Sequence, residues 1–193
     1  SGENSIVVAS GANNFLSPVQ VKSALENAPE HSIVLIQLET PIETVMATAE
    51  ISRAKKHQLI LNPAPAVRLS DEILSLVSII TPNETEAELL TGIAVSDEKS
   101  GAVAADYFHQ RKIPVVIITM GAQGAYVSTV NYRGIIPVQK TKAVDTTAAG
   151  DCFNGALAVA LAEGFSIERA AQFACSAAAI SVTRMGAQAS MPK

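Results

Sequence analysis

The sequence predicts a three-layer α/β/α fold with a mostly parallel central sheet, which we interpret as one domain over residues 1–193. Short apolar runs without alternation, such as 33–38 and 115–119, are typical of strands that are buried on both faces. These runs alternate with segments of helical periodicity, as in proteins built on parallel sheets. The 193 residues, of which 48% are hydrophobic, contain no linker and are enough for one substantial core.

Each element has a local signal. The predicted strands are continuous apolar runs, at 6–9, 33–38, 59–61, 78–80 and 115–119. The predicted helices lie between and after them, at 18–27, 42–56, 71–77, 84–91, 97–111, 151–163 and 167–183. Ser17 and Ser70 are expected to cap two of these helices, and Pro18 suits a first helical position. Gly92 and Gly164 are expected to end two others.

The pattern changes after the fifth strand. The apolar segments 126–130 and 135–138 flank Asn131-Tyr-Arg-Gly134, which is typical of a β-hairpin. A further strand is expected to end at Val144, directly before the loop that starts at Asp145.

Composition argues against several classes of function. The formal net charge is −4 without a basic block, which argues against a nucleic-acid partner. No apolar run reaches the ~18 residues that a membrane span needs. Cys152 and Cys175 fall in predicted helices without the spacing of metal ligands, which indicates reduced thiols in a cytoplasmic protein. The three histidines are scattered and form no ligand pattern, at His31, His57 and His109.

The segment Asp145-Thr-Thr-Ala-Ala-Gly-Asp151 carries most of the functional information. We expect it at the carboxyl end of the sheet, where open α/β folds bind ligands. Nothing in Ala148-Ala-Gly150 is large enough to keep an anion from the free amides of a helix N-terminus. Gly155, inside the predicted helix, indicates that something packs closely on that face.

Asp151 has two interpretations. It is either a capping or first-turn acid, which the helix dipole favours, or a carboxylate that deprotonates a hydroxyl attacking a phosphoryl group. Neither a GxxxxGK[ST] loop nor a GxGxxG loop is present, and the segment 121–124 is too short for the latter. Asn83-x-x-Glu86 likewise has a structural interpretation, a capping box at the start of a helix.

Several motifs resemble the ribokinase-like carbohydrate kinases. Residues 145–156, Asp-Thr-Thr-Ala-Ala-Gly-Asp-Cys-Phe-Asn-Gly-Ala, look like the C-terminal signature of that family. Residues 81–86 resemble its Asn-x-x-Glu element. Residues 11–13, 62–66 and 182–190 resemble its ribose-phosphorylating members. The resemblance implies ATP-dependent phosphorylation of the terminal hydroxyl of D-ribose to ribose 5-phosphate, in a cytoplasmic enzyme that is a homodimer when full length.

The resemblance also implies roles for particular residues. Asp151 would be the general base, and the backbone of Ala148, Ala149 and Gly150 would form the anion hole. The nucleotide and its Mg²⁺ would lie near residues of three separate segments, namely Asn83, Glu86, Thr119, Gly121, Gly124 and Cys175. The sugar would lie near Asn13 and Glu39. Backbone carbonyls would bind K⁺ at Asp145, Thr147, Ser181, Arg184, Gly186 and Ser190.

By the same resemblance, the family's N-terminal segment, with its first strands, lid and most sugar contacts, is expected to be missing from this sequence. The closing helix is expected to be missing as well. Two other functions therefore stay open. One is a related kinase for another sugar or a nucleoside, and the other is a nucleotide-binding fragment without catalytic activity.

Overall fold

The structure, a computed structural model, describes residues 11–192. Six strands form one sheet in the order in which they occur in the chain: β1 Ile33–Ile36, β2 Gln58–Leu61, β3 Ile79–Ile80, β4 Val115–Thr119, β5 Ala125–Ser128 and β6 Arg133–Ile136. Strands β1 to β4 are parallel, and β5 and β6 add an antiparallel hairpin. The predicted strand at 6–9 lies outside the described residues.

Seven α-helices accompany the sheet within the described residues: α1 Pro18–Glu26, α2 Ile42–Ala54, α3 Asp71–Leu76, α4 Glu84–Thr91, α5 Glu98–Gln110, α6 Ala149–Ala162 and α7 Ile167–Ser181. All seven were predicted, with ends that differ by at most two residues. The hydroxyls of Ser17 and Ser70 cap α1 and α3, and Gly92 ends α4 in the left-handed conformation at φ 75°.

The sheet separates two apolar clusters. One packs α2 to α5 on one face, with Leu59, Leu61 and Ile80 pointing toward the helices. The other packs α6 and α7 on the opposite face, with Ile60 and Ile79 contributed by the strands. Because neighbouring strand residues point to opposite faces, continuous apolar runs fill both clusters. The three-layer α/β/α prediction is confirmed.

The prediction of a strand ending at Val144 is wrong. Residues 137–144 belong to no strand, and the Val144 side chain is 57% exposed. This segment includes Gln139-Lys-Thr-Lys142, whose polar side chains do not suit a buried strand. The Val144 N–H donates instead to the Val182 carbonyl, 2.7 Å away, so the segment is tied to the end of α7.

Among residues 11–192, no helix combines the length and apolar character that crossing a lipid bilayer would require.

Candidate active site

Helix α6 begins without a side-chain cap. Its N-cap residue, Ala148, has φ 59°, a left-handed conformation that costs a non-glycine residue about 1–2 kcal/mol. The Ala149 N–H donates to the Thr146 carbonyl at 3.2 Å, which turns the chain into the helix. Strain of this kind is concentrated at functional sites. The first turn of α6 therefore presents backbone amides that no capping side chain occupies.

Gly150 leaves the space beside this turn open. A Cβ atom built on Gly150 would meet no other atom within 4 Å, and the residue is exposed. Its φ is not positive, so backbone conformation does not require glycine here. What glycine provides is room for a ligand to approach the amides.

The close packing expected at Gly155 is not found among the described residues. A Cβ atom on this residue would also meet no other atom within 4 Å, so no described residue packs closely against it. Glycine in this part of α6 is not explained by packing.

Asp151 is the third residue of α6, and its side chain is exposed. The expected position in the first turn is confirmed, whereas the cap itself is Ala148. The Gln37 side-chain amide donates to Oδ1 of Asp151 at 2.8 Å. Gln37 directly follows β1, so this contact places the Asp151 carboxylate at the carboxyl end of the parallel strands.

A chain of side-chain hydrogen bonds runs along this end of the sheet. Asn62, which follows β2, accepts from the Gln37 amide at 3.5 Å and donates to the Thr81 carbonyl at 3.0 Å. The Thr81 hydroxyl, after β3, donates to the Asn154 side-chain oxygen at 2.7 Å. Asn154 in turn donates to the Gly150 carbonyl at 3.0 Å, which returns the chain of hydrogen bonds to α6.

Asn83 and Glu86 form the capping box of α4. The Asn83 side chain accepts from the Glu86 N–H at 2.8 Å, and Glu86 Oε2 accepts from the Asn83 N–H at 2.9 Å. Burial raises the pKa of the Glu86 carboxyl above its ordinary value, and the smaller effect of the Asn83 hydrogen bond opposes this. The structural interpretation is therefore correct, and it leaves Oε1 of Glu86 outside the capping hydrogen bond.

Thr119 lies beside Asn83. The Thr119 N–H donates to the Pro82 carbonyl at 2.9 Å, and Asn83 and Thr119 form an isolated parallel bridge. The turn that follows contains two glycines with different surroundings. Gly121, at φ 49°, has open space around it, whereas a Cβ atom on Gly124 would collide with the Ile136 carbonyl oxygen. Gly124 is thus required by the close approach of β6.

Asn13 and Glu39, the residues expected near the sugar, lie together at the surface. The Asn13 amide approaches Glu39 Oε2 at 3.5 Å. Glu39 follows Gln37 by two residues, so the Asn13–Glu39 pair lies close in the structure to the residue that contacts Asp151.

Asp145 joins two of the segments that were expected to bind K⁺. Its Oδ1 accepts from the Thr147 N–H and its Oδ2 from the Gly186 N–H, both at 2.9 Å. Hydrogen bonds from the Thr147 side chain, and from the backbone of Gly186 and Thr147, hold the pKa of Asp145 below its ordinary value. Val182 also accepts from the Asp145 N–H at 3.2 Å.

The remaining residues expected at the cation site differ in exposure. Ser181 and Ser190 are buried, and Arg184 is exposed. The Ser181 carbonyl accepts from the Arg184 N–H at 3.1 Å. Within residues 11–192, no three His, Cys, Asp or Glu side chains are grouped so as to hold a metal ion.

Cys175 lies in the core rather than on the site surface. It is 5% exposed and packs in the cluster between the sheet and α6–α7. Burial raises its pKa to about 11, so the thiol is protonated at neutral pH. Among the expected nucleotide-site residues, Cys175 therefore presents little surface to a ligand.

Sequence reasoning missed four residues of the site, at Gln37, Asn62, Thr81 and Asn154. The first three directly follow β1, β2 and β3, and a polar residue at that position of a parallel strand is the signal that could have identified them.

The chain is similar to known carbohydrate kinases. The model of the pfkB family of carbohydrate kinases matches residues 1–193. The ribokinase of Haemophilus influenzae is 50% identical over 192 residues, which cover 100% of this chain and 63% of that protein. A deoxyribokinase of Salmonella typhi is 36% identical over 190 residues, covering 98% and 62% of the two chains.

A solved structure shows the same fold. The structure of Arabidopsis thaliana ribokinase complexed with ribose and ATP superposes with a TM-score of 0.88 and 30% identity, covering 98% of this chain and 62% of that one. The chain thus spans somewhat less than two thirds of the length of these relatives. The match over residues 1–193, together with the fold and the relatives, shows that this chain belongs to the pfkB family of carbohydrate kinases.

Proposed function

We propose that the protein carrying this chain transfers a phosphoryl group from ATP to the terminal hydroxyl of D-ribose, giving ribose 5-phosphate. The observation that carries the proposal is the exposed Asp151 carboxylate in the uncapped first turn of α6, beside the open space at Gly150. Family membership and the 50% identity to a ribokinase support the reaction type and the sugar.

In the proposed reaction, Asp151 accepts the proton of the sugar hydroxyl while the hydroxyl oxygen attacks the γ-phosphorus of ATP. The bond from that phosphorus to the β–γ bridging oxygen breaks, and ADP leaves. Backbone amides of Ala148, Ala149 and Gly150 stabilise the charge on the transferring group. The Ala149 N–H would exchange its 3.2 Å hydrogen bond to the Thr146 carbonyl for one to the phosphoryl group. A positioned base contributes about 10²–10⁴-fold to such a rate.

The nucleotide is proposed to lie along Asn83, Thr119 and the turn at Gly121. The adjacent ends of β3 and β4 support this placement, since Asn83 and Thr119 form a bridge. The open surroundings of Gly121 allow close approach of phosphate or ribose. Gly124 contributes by holding the turn, because β6 fills the space beside it. Cys175 would act only through the packing behind this surface.

Mg²⁺ is proposed to bind near Glu86 through water. Capping uses Oε2 of Glu86, so Oε1 can accept from a magnesium-bound water. Mg²⁺ in kinases needs few protein carboxylates and keeps several waters, which fits a single acid. The ion would neutralise phosphate charge.

K⁺ is proposed to bind between the loops that Asp145 joins, through backbone carbonyls of Asp145, Thr147, Ser181, Arg184, Gly186 and Ser190. The hydrogen bond from the Gly186 N–H to the Asp145 carboxylate supports the facing arrangement of these loops. A cation held there would fix the segment that leads into the first turn of α6.

The sugar is proposed to contact Asn13 and Glu39, whose side chains approach each other beside the Gln37 segment. The identity to a deoxyribokinase makes 2-deoxy-D-ribose the second candidate substrate.

The test measures ADP release by the full polypeptide that carries this sequence, with D-ribose, 2-deoxy-D-ribose, D-fructose and a nucleoside. We expect the highest kcat/KM with D-ribose. A higher value with another acceptor would favour the related kinase. ATP binding without acceptor-dependent ADP release would favour a non-catalytic nucleotide-binding protein and contradict the proposal.

A further inference from the structure

The hydrogen bonds around α6 form a closed circuit. Gln37 contacts Asp151 directly, and the other branch returns to the same turn of α6 at the Gly150 carbonyl. The circuit thus links the residues that follow three parallel strands to one helical turn. Its members are far apart in sequence: Gln37 and Asp151 are separated by 114 positions, and Thr81 and Asn154 by 73.

The chemistry of each group fixes its direction in this circuit. A carboxylate only accepts, so Gln37 must present its NH₂ group to Asp151. The same NH₂ group faces the Asn62 side-chain oxygen, and the Asn62 NH₂ group then faces the Thr81 carbonyl. The Thr81 hydroxyl has one proton, which the 2.7 Å contact with Asn154 uses. Every amide orientation is therefore determined by its neighbours.

The interior part of the circuit is shielded from water. Asn62 is 8%, Thr81 1% and Asn154 3% exposed. Buried polar groups that satisfy one another hold a single arrangement firmly, since breaking one bond leaves a desolvated partner. Side-chain hydrogen bonds consequently fix the turn that carries Gly150 and Asp151 to the ends of the strands.

We infer that Gln37 is a positioning residue for Asp151, and that the Asn62–Thr81–Asn154 branch holds the first turn of α6 in register with it. The inference rests on the proposed function. Holding Oδ1 of Asp151 leaves Oδ2 to accept the proton of the sugar hydroxyl. Small misplacements of a reacting group of about 1 Å can cost 10²-fold in rate, so this orientation affects kcat.

The test is a double-mutant cycle in the full polypeptide that carries this sequence. Gln37→Met keeps the shape of the side chain and removes its donor. We expect kcat with D-ribose to fall about 10- to 100-fold with KM for ATP changed less than about twofold, because the nucleotide surface is separate. Combined with Asp151→Asn, it should lower kcat little further, because residues that act as a unit are not additive.

Gln172→Met is the matched control. Gln172 is exposed on α7, away from the circuit, and its substitution should leave kcat unchanged. On the buried branch, Thr81→Val removes the hydroxyl and Thr81→Ser retains it. We expect Thr81→Val to lower kcat about 10-fold and Thr81→Ser to restore most of it. Thermal unfolding of each variant identifies any loss of fold, and Gln37→Met at the half-buried position remains the deciding variant if Thr81→Val does not fold.

The outcomes separate the inference from the function. Loss of activity in Asp151→Asn with full kcat in Gln37→Met would overturn the positioning role and leave the proposed function standing. Independent, multiplicative effects of the two substitutions would also overturn it, since they would indicate a structural role for Gln37. Undiminished activity in Asp151→Asn would overturn the proposed base and the inference together.

Discussion

At the residue scale, a substitution of Gly150 distinguishes between a turn that binds a ligand and a simple helix start. Gly150→Val should be accepted by the fold, because a Cβ atom at this position meets no atom within 4 Å and the backbone φ is not positive. It should nevertheless block approach of a phosphate to the amides of the turn. We expect kcat to fall by about 10²-fold or more, as when a donor to a developing oxyanion is lost.

Gly155 on the same helix provides the control for this substitution. A Cβ atom at Gly155 also meets no atom within 4 Å. Gly155→Val should leave kcat unchanged and should stabilise the protein slightly, because glycine is the poorer helix former by a few tenths of a kcal/mol. Equal kcat values in Gly150→Val and the parent, measured by the coupled ADP assay, would show that the turn binds no phosphoryl group.

At the element scale, Asp145 holds two loops together through its carboxylate. Its pKa lies below the ordinary value of 3.8 because the folded state donates hydrogen bonds to the ionised form. A lowered folded-state pKa means that the stabilisation is present above the unfolded value and is lost as pH falls through the folded one. The link to Gly186 is therefore intact at neutral pH and is released only in acid, below about pH 3.8.

Asp145→Asn removes this pH-dependent contribution. We expect the variant to show a smaller decrease of the unfolding temperature than the parent as pH is lowered below about 4, measured by differential scanning calorimetry. At neutral pH the variant should also need more K⁺ for half-maximal activity, since the loops proposed to hold the ion lose one tie. Identical pH and K⁺ profiles in parent and variant would contradict the role given to Asp145.

At the scale of the whole molecule, several large apolar side chains of the described structure are exposed. Helix α1 has no buried residue, and Phe15 and Val19 beside it and on it are 80% and 75% exposed. Leu35 on β1, an edge strand among the described residues, is 38% exposed. Exposed apolar patches and strand edges favour association. We therefore expect these 193 residues, expressed by themselves, to self-associate.

Light scattering coupled to gel filtration measures this association. Phe15→Ser with Val19→Ser should shift the population toward monomer. Val130→Ser is the control, because Val130 is also strongly exposed, at 93%, but lies at the tip of the hairpin and not on or beside α1. If the parent chain is a monomer at all concentrations, these exposed apolar residues do not drive self-association.

The helices and strands could be predicted because their signals are local. Caps such as Ser17, terminators such as Gly92 and continuous apolar runs act over a few residues, and the alternation of strands with helices indicates a parallel sheet. The prediction of a strand ending at Val144 was wrong because this polar segment is hydrogen-bonded to the end of α7 and not to the sheet. The packing expected at Gly155 was not found, because the cost of glycine in a helix says nothing about which residues lie beside it.

The candidate site was only partly predictable for the same reason. Asp151 and Gly150 stand in one short motif, so their chemistry could be recognised together. Gln37 contacts Asp151 across 114 residues of sequence, and such a pairing depends on which strand ends beside which helix. Asn154 lies within the same motif, but its partner Thr81 is 73 residues away, so its role could not be inferred from spacing.

The central claim is that Asp151 removes the proton from the attacking hydroxyl. The most direct test is the kcat for D-ribose of Asp151→Asn in the full polypeptide that carries this sequence, with ATP affinity and thermal unfolding measured in parallel. Asn keeps the size of the side chain and its exposed position, so fold and ATP affinity should be retained. We expect the kcat of Asp151→Asn to fall by about 10²–10⁴-fold. A fall of less than about fivefold, far below what loss of a general base costs, would contradict it.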